Sequence, residues 1–357
     1  MAIPEVTFTI EPVVTAPEHH VDDVILVAGL PGGGGTGTEG EVYKGASLEE
    51  LVGRVGNTGD TAEFLEALFA RVTPQVFFAP YSLQKADNSN KSDAEVETAI
   101  KNALNFSRRV SPRPTILHSA GDVTAKANAT AGNSIVTHME TLSETLKCKA
   151  IANSAQDTIE NAETWGQNNG QPNVLGIFNQ REKSDGTFVM PAGYWLGAAL
   201  EITSEHGRAW GVNYAEVKGV EKLRHDLTPI SGQLVGLDAV GVSSIVSDEG
   251  AEEIIGDEFK TATETPLRFW TIGRVVDHVQ RVIGQHAHNF IGPTYTADRI
   301  ATHLTRALNP IIEAKELISG SITPDPEQTQ GLTKYFVTDI ELLYATNKIA
   351  IKMRFAI

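Results

Sequence analysis

Apolar residues in the first half of the chain come in short runs separated by longer stretches of helical period. The runs are VILVAG (24–29), VFFAP (76–80), TILHSA (115–120), AIANSA (150–155) and VLGIFN (174–179). Between them, residues 47–55 follow Ser47 with Glu50 three positions on, a capping-box spacing, and residues 92–107 and 134–147 also read as helices. Strands spaced by helices predict an α/β layer with a mainly parallel sheet. Residues 81–92 (YSLQKADNSNKS) are polar and aperiodic and predict an exposed loop or insertion.

The pattern changes after Met190. PAGYWLGAALEIT is rich in small apolar residues and helix-like, GRAWGVNY reads as a loop, and residues 221–265 carry no period that assigns an element. In RFWTIGRVVDHVQRVIGQ, Ile272, Val275, Val276, Val279, Val282 and Ile283 define one helical face. The opposite stripe of Arg274, Asp277, His278 and Arg281 fits either a solvent-facing surface with local ion pairs or a docking surface. A second helix is expected over 297–318, broken at Asn309-Pro310 and stopped at Gly320.

Both ends alternate like strands. Val6, Phe8 and Ile10 alternate with Thr7 and Thr9 between Pro4 and Pro12, and a leash follows. Near the other end, residues 333–344 predict a strand, 345–347 a turn, and 348–357 a strand with Ile349, Ile351, Met353, Phe355 and Ile357 on one face. The organisation read from this is an arm over 1–23, an outer α/β domain over 24–265 and a C-terminal α+β domain over 266–357.

Composition narrows the classes. A chain of 357 residues has room for two or three domains with their own cores. Its net charge of −16 argues against nucleic acid as a main partner, because phosphate binding needs a concentrated basic surface. The charge is uneven: residues 260–357 hold 11 basic and 9 acidic residues, against 18 and 36 before them. No apolar stretch approaches the roughly 20 residues of a membrane span, and the acidic start lacks a signal-peptide pattern, so a soluble, unexported protein is expected. Cys148 is the only cysteine and reads as a small core residue.

Candidate chemistry is sparse. Gly32, Gly34 and Gly37 in GLPGGGGTGTEG fit the G-x-G-x-x-G spacing of a pyrophosphate loop, but four consecutive glycines make that match nearly automatic and no helix begins inside it. Thr38 stands where a Walker loop needs lysine, and a flexible surface loop is the expectation. The pairs His19-His20 and His286/His288 lack further ligands at metal spacing. No nucleophile elbow occurs, and carboxylate pairs such as Asp22-Asp23 and Glu252-Glu253 read as solvated surface. Neither a catalytic residue nor a cofactor is expected.

Three landmarks in order carry a resemblance: VILVAGLP with its glycine loop and ASLEELVGRVG; MPAGYWLGAALEITSEHGRAWGVNYAEVKGV; and RFWTIGRVVDHVQRVI, FIGPTYTADRIATHLTRALNPIIEAKELISG and a terminal hairpin. Together they resemble the tail sheath proteins of contractile phage tails and related injection machines, with Val212 in place of the usual Pro before the loop Asn. The resemblance implies a non-enzymatic structural subunit that polymerises helically around a tail tube and contracts to drive the tube through a target envelope. It further implies that terminal strands (Val6, Phe8, Ile10; Ile349, Ile351, Met353, Phe355) complete sheets of neighbouring copies. The less acidic C-terminal domain would lie near the tube, with Arg274, Arg281, Arg299 and Arg306 as tube-facing candidates.

The implied partners are further copies of the chain, the tube protein, and baseplate and tail terminator proteins. The implied location is a virion tail assembled in the host bacterial cytoplasm. Two other readings remain open on the residues themselves. One is a Rossmann-like nucleotide-binding oxidoreductase; the other is an α/β binding protein whose terminal strands pair within their own chain.

Overall fold

The computed structural model describes residues 22–125, 132–220, 222–229, 232–248, 250–260, 268–287, 290, 295–325, 335–342 and 353–356. Val6, Phe8 and Ile10 of the expected N-terminal strand, and Ile349 and Ile351 of the terminal run, lie outside these residues.

The five apolar runs form parallel strands: β1 (Val24–Gly29), β3 (Gln75–Pro80), β4 (Ile116–Ser119), β5 (Lys149–Asn153) and β6 (Val174–Phe178). With β2 (Tyr43–Gly45), β9 (Val242–Asp248) and β10 (Ala251–Ile255) they make an eight-stranded sheet in the order β10-β9-β6-β5-β4-β1-β3-β2. Strand β9 continues the parallel set, whereas β2 and β10 pair antiparallel at the edges.

The continuous apolar character of the runs follows from burial on both faces. Ile25 and Val27 pack with α1 (Leu48–Val55), α2 (Asp60–Phe69) and α6 (Ala192–His206). Val24, Leu26 and Ala28 pack with α3 (Asp93–Leu104), α4 (Ser134–Leu146), α5 (Ile159–Asn169) and α7 (Gly232–Ala239).

Helix starts are chemically specified where side chains cap them. Ser92 and Glu95 form a reciprocal capping box at α3, and Ser47 Oγ accepts from the Glu50 N–H at α1. Helix α2 escapes the sequence pattern because Gly59 begins it without a side-chain cap. Strands β9 and β10 fill the unassigned stretch as a hairpin through Gly250 at φ 92°. A small hairpin of β7 (Arg181–Glu182) and β8 (Phe188–Val189) precedes α6.

A second core gathers α8 (Trp270–Ala287), α9 (Ala297–Arg306), α10 (Asn309–Glu313) and the strands β11 (Leu317–Pro324) and β12 (Tyr335–Leu342). The helix expected over 297–318 is corrected here: it stops at Arg306, restarts as α10 with Pro310 in its first turn, and gives way to β11 (Leu317–Pro324). Proline lacks the donor a continuous helix needs, and Lys315 at φ 58° turns the chain out of helical geometry. Gly320 is therefore no helix stop; it sits inside β11, where Leu308 packs on its bare Cα.

Strand β12 (Tyr335–Leu342) falls within the expected 333–344, and β13 (Met353–Ala356) pairs antiparallel with it, Phe336 opposite Phe355 and Thr338 opposite Met353. Among the described residues no helix is long and apolar enough to cross a membrane.

Candidate functional site

In a parallel sheet, ligands bind at the carboxyl ends of strands where the winding reverses. That point here is β1, flanked by β3 on one side and β4 on the other. The crevice carries Asp60, whose carboxyl is pushed up by burial and by the charges of Glu63 and Asp122. Lys183, paired with Glu63, opposes that shift.

The glycine loop beside it is likewise committed elsewhere. The N–H groups of Gly32, Thr36 and Gly37 donate to the carbonyls of Val55, Gly53 and Arg54, the last turn of α1. Gly33 donates to Thr58 Oγ1, Gly35 to the Gly32 carbonyl and Thr38 to the Tyr43 hydroxyl. The loop therefore caps a helix C-terminus, the opposite electrostatic end from the one that binds anions. A side chain at Gly32 would run into the Thr58 carbonyl. The expectation of a flexible loop is thus corrected to a pinned one.

A buried cluster of charged side chains lies where the two cores meet. Helix α8 presents Val275, Val279 and Ile283 to the C-terminal core, while Trp270 at its start belongs to the α/β core, edge-on to Trp195 at 5.1 Å. Between these faces runs the stripe Arg274, Asp277 and Arg281, which turns inward. Arg274 is only 4 % exposed, and its Nη2 donates to Asp23 Oδ2 at 2.5 Å. Asp23 is 3 % exposed and also accepts from Thr115 Oγ1 at 2.7 Å. Lys149, at the start of β5, lies 3.2 Å from Asp277 Oδ2 and donates to Asn173 Oδ1 at 2.6 Å.

Arg208, just past α6, extends the network. Its Nη1 donates to Glu316 Oε1 at 3.0 Å, and its Nε stands 4.0 Å from Asp23. His278 Nδ1 lies 3.0 Å from Glu316 Oε2 and 2.9 Å from Arg208 Nη1, so as an N–H it serves the carboxylate and as a lone pair the arginine.

Burial would raise the Asp23 carboxyl, but Arg274, Arg208, the Thr115 hydroxyl and Arg281 together hold it far below the usual carboxylate range. Burial opposes ionisation of Glu316 too, and is outweighed by the His278 hydrogen bond and the Arg208 charge. Four cations (Lys149, Arg208, Arg274, Arg281) thus face three carboxylates (Asp23, Asp277, Glu316). Among the described residues Arg274 Nη1, Arg281 Nη1 and Arg208 Nε find no hydrogen-bond partner.

Of the four tube-facing candidates, Arg274 is buried within the chain and Arg281 is half-buried. Arg274 is enclosed by the subunit itself and Arg281 lines the same cleft as Asp23 and Arg208. Arg299 and Arg306 are exposed on α9, Arg299 over the ring of Tyr295. Met353 and Phe355 pair with β12 of their own chain. His286 approaches His303 ring to ring at 5.6 Å, His288 lies outside the described residues, and among those residues no three His, Cys, Asp or Glu groups are set to hold a metal. Cys148 is buried, and burial first, then Asp277, pushes its thiol up to about 12.

Asp23, Thr115, Lys149, Arg208 and Glu316 were not legible as a set. Asp22-Asp23 read as solvated surface, which holds for exposed Asp22 and fails for Asp23. No spacing signal joins residues that meet from five separate segments.

No family model matches the sequence, and a search of curated proteins finds no match. Solved structures do match. A chain of the anti-feeding prophage baseplate aligns at TM-score 0.70 and 14 % identity, covering 99 % of both chains. The contracted sheath complex of the extracellular contractile injection system PVC aligns at TM-score 0.67 and 12 % identity over 97 % of this chain and 95 % of that one. The sheath tail protein of Desulfitobacterium hafniense aligns at TM-score 0.65 and 9 % identity over 99 % of this chain and 100 % of that one. From the first strand of its large sheet to its terminal hairpin, this chain has the fold of the contractile tail sheath proteins.

Proposed function

We propose that the protein is a structural subunit of a contractile sheath. It polymerises helically around a tail tube and shortens to drive that tube through a target envelope. The observation that carries this reading is a likeness spanning whole chains: the contracted anti-feeding prophage sheath aligns over 99 % of both chains at TM-score 0.68. Shared topology of that extent includes the C-terminal sheet as well as the common α/β layer. The glycine loop, whose N–H groups are committed to the last turn of α1, supports a structural role over the oxidoreductase reading.

In this reading the free energy of contraction comes from intersubunit contacts that differ between two lattices, with no nucleotide consumed. Residues 1–23 act as an arm that adds a strand through Val6, Phe8 and Ile10 to a neighbour's sheet, a main-chain connection that persists while the subunits move. Residues 24–265 face outward and residues 266–357 face the tube, with Arg299 and Arg306 as the tube-facing candidates. The partners are further copies of the chain, the tube protein, and baseplate and terminator proteins, in a tail assembled in a bacterial host.

Negative-stain microscopy of the purified chain with its tube tests the proposal. Ordered tubes are expected from the full chain, and folded particles without tubes after deletion of residues 1–12. Discrete particles from the full chain would refute the sheath reading, and tubes surviving the deletion would refute the donor arm.

A further inference from the structure

Tyr214 holds its backbone at φ 65°, a left-handed conformation that a bulky side chain adopts only under constraint, and the residue is 66 % exposed. The constraint comes from both sides. The Tyr214 N–H donates to the Ile254 carbonyl at 2.8 Å, the Ala215 N–H donates to the Val212 carbonyl, and the Asn213 amide bridges Asp257 Oδ1 and the Gly256 N–H. The fold thus fixes an aromatic ring in water at a backbone cost that glycine would avoid. Glu216, two residues on, lies opposite Glu253 of β10, and burial, then the charges of Asp248 and Glu216, raises the Glu253 carboxyl. The cations on the adjoining segments, Arg71 and Lys218, pair with Glu201 instead. The surface beside Tyr214 is therefore acidic, with like charges opposed across a sheet edge.

The complementary chemistry lies elsewhere on the same chain. Arg108 ends the 3-10 turn Asn105–Arg108 after α3, Arg109 follows it, Arg113 precedes β4 and Lys147 follows α4; all four are exposed. The turn lies against α4, and the Lys149 N–H on the Thr115 carbonyl sets the approach to β5 beside the approach to β4, so the four share one patch. Among the described residues none of them has an ion-pair partner, and Glu97 nearby is taken by Lys101. Cations at helix C-termini offset the helix dipole, which accounts for Arg108 and Lys147. Arg113, in the extended approach to β4, has no such duty. On a chain of net charge −16, an unpaired basic patch points to an acidic protein surface as its partner.

We propose that these are the two halves of one contact between copies: the patch of Arg108, Arg109, Arg113 and Lys147 on one chain docks on Tyr214 and its flanking carboxylates on the next. A guanidinium stacks over a tyrosine ring while its edge pairs with carboxylates, and stacking of this kind recurs within the chain at Arg299 over Tyr295. Rigid tyrosine and arginine are the residues in which interface energy concentrates. Because the two surfaces differ, the contact is heterologous and repeats head to tail from copy to copy. As a contact within a contractile array it rests on the sheath reading; as an attraction between two copies it does not.

Sedimentation of the full chain over a concentration series, with melting temperatures as the check on folding, tests the contact. Arg109→Glu with Arg113→Glu makes both surfaces acidic, and Glu216→Arg with Asp248→Arg makes both basic, all at exposed positions. Each variant alone should need roughly 30-fold more protein to associate, and an equimolar mixture should recover the parent's behaviour, since each then meets its complement. Tyr214→Gly should melt higher, relieved of its left-handed strain, yet associate roughly 30-fold more weakly. Variants that associate like the parent overturn the proposal, and so does a mixture that fails to recover or a parent that stays monomeric at about 1 mM. Ordered tubes from either charge-reversed variant alone would keep the sheath reading and discard this contact. Recovery by mixing in a chain that forms no tubes would do the reverse.

Discussion

Asp23 and Arg274, 251 positions apart in sequence, share a hydrogen-bonded ion pair at 2.5 Å in a site from which water is largely excluded. The pair ties the residue before the first central strand to the helix that opens the C-terminal core.

Removing one partner of such a pair is costly even where the intact pair adds little. Asp23→Ala should therefore lower unfolding free energy by roughly 3–5 kcal/mol, read from urea denaturation at pH 7. The folded carboxyl titrates below its unfolded value of 3.8. Its contribution is thus complete above that value and is lost progressively as pH falls below it through the lower folded value, so the variant should converge on the parent in strong acid. A constant difference down to acid pH would show that the lost stability is not the ionised pair.

Asp257 behaves in the opposite sense. Burial, then the charges of Asp238 and Glu258, raise its carboxyl from 3.8 to about 7, against the Asn213 amide that donates to it. The native state holds the proton more tightly than the unfolded chain. Its contribution is therefore full below the unfolded value and is lost as pH rises towards 7, at up to about 1.4 kcal/mol per pH unit. Asp257→Asn should flatten that limb of a stability–pH curve; an unaltered slope would assign it to other groups.

Two glycines should respond in opposite directions to alanine. A Cβ at Gly193 of α6 would stand 2.6 Å from the Phe64 carbonyl and 2.9 Å from the Phe64 Cα of α2, so Gly193→Ala must push α2 and α6 away from each other and should cost about 1–3 kcal/mol. Gly53 on α1 has open space around the same position, and Gly53→Ala should stabilise by about 0.5–1 kcal/mol. Thermal unfolding of the two variants decides both.

Exposed Arg299 and Arg306 remain the basic candidates for the tube surface. Charge reversal at both should weaken co-sedimentation with the tube and steepen its loss with salt, while leaving the melting temperature nearly unmoved. Unchanged tube binding would remove α9 from that surface.

The Cys148 thiol, buried and raised to about 12, should resist maleimide in the native protein and react fully in denaturant. Rapid native labelling would mean that the α4–β5 region opens far more readily than its packing indicates.

Legibility followed locality. The runs at 24–29 and 174–179 announced buried strands because both faces of each are covered, which requires apolar residues throughout. Ser92 and Glu95 announced a helix start because cap and donor lie three residues apart. The break at Pro310 was visible, yet the strand after it was not, since Leu317 and Ile322 are the only fully buried apolar side chains in β11. The edge strand β10 was hidden for the same reason: Ile254 alone is fully buried there.

By itself the sequence determined the α/β alternation and the amphipathic character of α8, because side-chain period and cap chemistry act over a few residues. Tertiary structure alone decided where the charges of α8 point and which of two adjacent aspartates is buried. It also decided that the glycine loop caps α1. Desolvation and ion pairing depend on partners that only the folded chain delivers: identical in type and side by side, Asp22 faces water and Asp23 faces Arg274.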